Sequence, residues 1–223
     1  MPLGKSICRR DLAFSTARTI MLFSEYESKL ENLNRETLTR EFFKEFVRAW
    51  GLRRTIGKGE DKLERVRELL ICRDLELIEN GDAKTVDEIA DCYKHAGLSA
   101  KSGGKRESFR KARSLVSKIA FLAKPAVFVP YDTYARDGLN LRRGRKKDAG
   151  EGCLKDGYEY YLESFNQCYC LLKDCIQGEC CQPWAMSFAS RISVKKGYLE
   201  RDALHRKILD DVLMTEGGRY PGT

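Results

Sequence analysis

Apolar residues recur along this chain every three to four positions, the period of a helix with one buried face, and almost nowhere alternate as they would in a strand. From Arg10 to Asn34 the positions Leu12, Ala17, Ile20, Met21, Phe23 and Leu30 predict a long first helix. Thr39 to Trp50 sets Phe42, Phe43, Phe46, Val47 and Trp50 on one face. Asp61 to Asn80 continues the pattern through Leu63, Val66, Leu69, Leu70 and Leu77, with Gly81 as the stop. Thr85-Val-Asp-Glu88 has the form of a capping box, in which a threonine oxygen and a glutamate satisfy each other's orphan amides, and its helix ends near Gly97.

After a small-residue linker, Ser99 to Gly104, a central helix is expected from about Lys105 to Ala123, and a short one starts at Asp132. Tyr158 to Gln177, Trp184 to Arg191 and Leu199 to Met214 supply the rest, with Gln182-Pro183 as a breaker. Val127-Phe-Val is the one β-like run. The expectation is an all-α fold of about eight or nine helices, in one globular unit or two packed subdomains, residues 1–98 and 99–223. There is no internal repeat.

Apolar residues make up 42% of the 223, enough for a sizeable core. No apolar run approaches the roughly 18 residues that span a bilayer. The basic, apolar N-terminal stretch is interrupted by Arg18 and followed by Glu25 and Glu27, unlike a signal peptide. A cytoplasmic protein without membrane contact is expected.

The net charge of +8 is unevenly spread. Residues 101–147 hold 14 Lys and Arg against three acids (Glu107, Asp132, Asp137), a local +11 that leaves about −3 for the remainder. Such a segment suits one surface facing a polyanion, or else is a solvated charge run. It includes Arg106, Arg110 and Lys111 and the glycine-punctuated stretch with Arg142, Arg143, Arg145, Lys146 and Lys147.

Two residues in this segment carry candidate chemistry. On a helical projection Lys118 falls between an apolar arc (Leu115, Ile119, Leu122) and a polar one (Arg110, Arg113, Ser114, Ser117), with Lys111 only about 20° away. A lysine at such a seam is partly desolvated and crowded by cations, which favours the neutral amine that Schiff-base chemistry needs. The plain alternative is a rim lysine extending its ammonium into water. Asp132 follows Pro130 and precedes Thr133-Tyr134-Ala135-Arg136, the setting of a helix N-cap; the functional alternative is a fixed carboxylate that activates a nucleophile. Tyr131 and Tyr134 could stack on an extruded base or fill the core.

Lys124-Pro125, Pro130-Tyr131-Asp132-Thr133 and the lysine-then-aspartate order resemble the helix–hairpin–helix DNA glycosylases, in particular their oxidised-purine branch. The stretch is also similar to small bacterial proteins with a Ser-Lys…Pro…Asp signature, here Ser117-Lys118, Pro125 and Asp132. The likeness covers about residues 103–139. It implies an all-α fold, base flipping, Lys118 (or Lys111 in a longer register) as nucleophile, Asp132 as its carboxylate partner, and double-stranded DNA as partner. The family's Leu-Pro-Gly-x-Gly hairpin is absent; Gly103-Gly104 are the nearest glycines.

Of the nine cysteines, six lie between Cys153 and Cys181. Cys168, Cys170, Cys175 and Cys180 lack the spacing of the family's iron–sulfur cluster, and on a helix positions 168 and 170 point about 200° apart. With His95 and His205 the only histidines, no metal and no other cofactor is assigned. The expected function is a DNA glycosylase, with or without lyase activity; the alternative is a non-catalytic nucleic-acid-binding or interaction protein on the same kind of scaffold.

Overall fold

Heptad-like apolar spacing becomes nine helices among the described residues, which are 6–30, 36–52, 55–56, 59–99, 112–144, 157–194 and 196–218 of the computed structural model. They are α1 (Arg9–Leu30), α2 (Arg40–Ala49), α3 (60–80), α4 (Ala83–His95), α5 (Arg113–Ala123), α6 (Thr133–Arg142), α7 (Tyr158–Cys180), α8 (Pro183–Arg191) and α9 (Asp202–Glu216). No strand forms among them; a single bridge joins Ile56 and Ser99. No helix there is long and apolar enough to cross a membrane. The chain divides into two compact units, one comprising residues 28–128 and the other 1–27 with 129–223, so the N-terminal helix belongs with the C-terminal half.

In the 28–128 unit, Phe42, Phe43, Phe46 and Val47 bury the expected face of α2, and Thr39 caps it by accepting from the Phe42 amide at 3.2 Å. Within α3 a π turn, Leu70–Asp74, interrupts the α-helical hydrogen bonding. The residue it inserts rotates the buried face onto Leu75 and Ile78, and leaves Leu77, expected inside, exposed. The turn carries Asp74 into the interior, where Arg73 and the Tyr93 hydroxyl donate to its carboxylate.

Two boundaries differ from the sequence expectation. The capping box of α4 is Asp82 with Thr85, not Thr85 with Glu88. The Thr85 hydroxyl already accepts from the Asp82 amide at 3.2 Å while the Asp82 carboxylate takes the Lys84 amide at 2.8 Å, which starts the helix a turn earlier. Likewise α5 begins at Arg113, with Ala112 non-helical before it (φ −79, ψ 27), and the expected earlier turns, 105–111, lie outside the described residues.

In the other unit α7 buries Tyr158, Tyr161, Phe165, Cys168, Tyr169, Leu172 and Ile176 along one stripe, with Leu171 outside it. Helices α6 and α9 run antiparallel in close contact. A methyl added at Gly138 would collide with the Leu213 carbonyl, and one at Gly217 with the Tyr134 carbonyl, one helical turn further along each partner. Two glycines thus allow backbone to approach backbone.

Candidate functional site

Lys118 and Asp132 belong to different units. In the 28–128 unit, α5 is buried nearly all round: Leu115 to Leu122 are all inside. Of the expected polar arc, Arg113 and Ser117 are buried too, each with a partner, while Arg110 lies outside the described residues. Arg113 gives its Nε to Asp87 on α4 at 2.6 Å, and the Ser117 hydroxyl donates to the Ser114 carbonyl at 3.4 Å. Lys118 is therefore not at a seam but in the interior, 4% exposed. Its ammonium donates to the Trp50 carbonyl at 3.3 Å, at the negative end of α2. The Trp50 ring packs against Phe46 and Phe121, with centroids at 5.5 and 6.5 Å.

After α5 the chain turns at Pro125, where the Val127 and Phe128 amides both donate to the Lys124 carbonyl. The β-like run has no strand partner. Instead, Tyr158 on α7 donates its hydroxyl to the Val129 carbonyl at 2.6 Å and accepts from the Val129 amide at 2.8 Å. One turn along α7, the Tyr161 hydroxyl donates to the Pro130 carbonyl at 2.9 Å. Two phenols thus do for this link what a neighbouring strand does elsewhere. Burial, reinforced by the carboxylate of Asp210, pushes the Tyr161 phenol well up, so it stays protonated and a donor.

The pinned link delivers Asp132 to the N-terminus of α6, where Oδ1 accepts from the Tyr134 amide at 3.0 Å. Asp132 is a helix cap, and its side chain is partly accessible. The two tyrosines expected to flank a base have different surroundings. Tyr131 is buried edge-on against Tyr161 at 4.9 Å, whereas Tyr134 is 41% exposed.

Of the basic residues expected on phosphates, Arg142 and Arg143 fall in the described structure. Arg142 is buried, and its guanidinium grips Glu216 through Nε and Nη2, both at 2.6 Å. Arg143 donates to the Ser164 hydroxyl at 2.6 Å. The guanidinium fork of Arg142 that a phosphate would need is taken up by a carboxylate. Arg106, Arg110, Lys111, Arg145, Lys146 and Lys147 lie outside the described residues.

The charged groups on α9 were not singled out from the sequence. Lys207 and Asp210 pair at 2.8 Å, both buried, and Asp211 takes Arg18 of α1 at 3.1 Å. Burial alone would lower the Lys207 ammonium, but the carboxylates of Asp210 and Asp211 outweigh it, and the lysine is held charged. The available signal was charge placed inside the apolar stripe Leu204, Ile208, Val212.

Cys168 is buried and Cys170 exposed, the opposite orientations their spacing implies. Burial pushes the Cys168 thiol to about 11 and the Cys180 thiol to about 12, which leaves both protonated. Among the described residues no three His, Cys, Asp or Glu side chains stand together as metal ligands would. No family model, curated protein or solved structure matches the chain.

Proposed function

We propose that the protein is a DNA glycosylase, with or without lyase activity, that extrudes and excises a damaged or modified base. The observation that supports this reading best is the pinned Val129–Pro130 link. A carboxylate meant to act on a reacting sugar must be held in place before substrate arrives, and Asp132 follows a segment whose carbonyls are fixed by Tyr158 and Tyr161. Lys118, buried on α5, is the nucleophile that this reading assigns.

In this mechanism Lys118 gives up a proton to water and its hydrogen bond to Trp50. It then attacks C1′ of the flipped nucleotide, and the base leaves with the glycosidic electron pair and takes a proton from water. The C1′–O4′ bond then breaks, O4′ taking the proton that the amine nitrogen releases, and the resulting Schiff base is reduced by borohydride to a stable amine. Asp132 stabilises the positive charge that develops on the sugar. The basic segment 101–147 supplies the affinity for duplex DNA.

A second reading, a non-catalytic nucleic-acid-binding or interaction protein, is favoured by the burial of Lys118. Borohydride trapping on a panel of damaged and modified duplexes separates the two. The glycosylase reading expects a covalent adduct that Lys118→Gln abolishes and Lys111→Gln does not. An adduct lost only with Lys111→Gln moves the nucleophile to that residue. Binding with neither adduct nor base release leaves the second reading.

A further inference from the structure

The unit formed by 1–27 and 129–223 contains a cavity of about 560 Å³ that plays no part in the mechanism above. Its described walls are Ser6, Ile7 and Cys8 just before α1, Asp11 in the first turn of α1, Leu141 and Arg142 at the end of α6, and Glu216 at the end of α9. That volume lies within the roughly 300–1,000 Å³ of small-molecule sites, and the composition is of the same kind, an apolar body with a few convergent polar groups. The charges decide what it would take. Among the described residues two carboxylates and one guanidinium face the cavity, and the guanidinium is engaged in a two-bond pair with Glu216. Asp11, in the first turn of α1, makes no ion pair among the described residues, so the described part of the wall holds one carboxylate more than its guanidinium matches. The Arg142–Glu216 pair forms a rigid floor, since separating it would strand a buried charge.

We propose that this cavity binds a small organic cation with an apolar body, an aryl or alkyl amine, with its ammonium on Asp11 and its hydrocarbon part against Ile7 and Leu141. A carboxylate ligand is disfavoured, because it would meet Asp11 and would have to displace Glu216 from Arg142. A neutral ligand of the same shape would leave the Asp11 charge desolvated and unpaired.

The test is isothermal titration of the full chain with three probes of one shape: 4-phenylbutylamine, 4-phenylbutanol and 4-phenylbutyrate. The amine is expected to bind at least tenfold more tightly than the other two, the discrimination of one charge-assisted hydrogen bond. Asp11→Asn should remove that preference without altering the circular dichroism spectrum. Leu141→Trp, which fills the cavity, should abolish binding of the amine. The proposal is overturned if the amine does not bind, if the carboxylate binds as well as the amine, or if the preference survives in Asp11→Asn.

Discussion

Tyr158 satisfies both main-chain groups of Val129 with one hydroxyl, donating to the carbonyl at 2.6 Å and accepting from the amide at 2.8 Å. Val129 is wholly buried, so neither group can turn to water. Removing that oxygen leaves two polar groups unpaired, each at a cost of about 1–3 kcal/mol. Tyr158→Phe should therefore destabilise the protein by about 2–4 kcal/mol in urea unfolding, more than Tyr161→Phe, which strands one carbonyl. Equal losses for the two variants would show that Tyr158 does not hold Val129 in this way.

The two kinds of helical glycine should respond in opposite directions. Gly138→Ala drives a methyl into the Leu213 backbone, which cannot yield as a side chain would, and a loss of about 1–3 kcal/mol or more is expected. Gly178, near the end of α7, has open space where its Cβ would stand. Gly178→Ala should raise stability by about 0.5–1 kcal/mol through helix propensity. Thermal melts of the two variants side by side check both signs.

His205 makes stability depend on pH near neutrality. It is buried, its Nε2–H donates to the Leu199 carbonyl at 2.7 Å, and burial holds its ring below the ordinary histidine range despite that bond and nearby Asp202. A lowered folded value means that the stabilisation is complete above the unfolded value of about 6.5. It is lost as pH falls from there through the folded value, because the unfolded chain takes up the proton first. The urea midpoint should drop between pH 7.5 and pH 5. His205→Gln, which keeps an N–H donor and does not titrate, should flatten that drop. The chain's other histidine, His95, is exposed. An unchanged slope in His205→Gln would assign the dependence to other groups.

On the proposed function, the salt dependence of DNA binding should divide the basic stretch 142–147. Arg142 is tied to Glu216 and buried, so Arg142→Ser should lower stability and leave the slope of log affinity against log salt unchanged. The Arg145, Lys146 and Lys147 triple change to serine should flatten that slope by up to roughly 0.9 for each phosphate no longer neutralised. A flatter slope in Arg142→Ser with intact folding would return that arginine to the interface.

Helix content was legible in the sequence because one-sided burial imposes a 3.6-residue period, and Phe42, Phe46 and Trp50 or Tyr161, Phe165 and Leu172 display it without help from the rest of the chain. The Asp132 cap was legible for a similar reason: a cap is a local bargain between a side chain and an amide two residues on. What surrounds a residue is not local. The arc of α5 opposite its apolar face was read as a surface, yet Arg113 finds Asp87, Ser117 finds the Ser114 carbonyl, and Lys118 finds Trp50, 68 positions earlier. Arg142 likewise looks solvent-facing in a basic run until Glu216, 74 positions later, closes on it. A side chain's charge is written at its own position, but its partner is brought by the fold, and the partner decides whether that charge faces a ligand or holds two helices together.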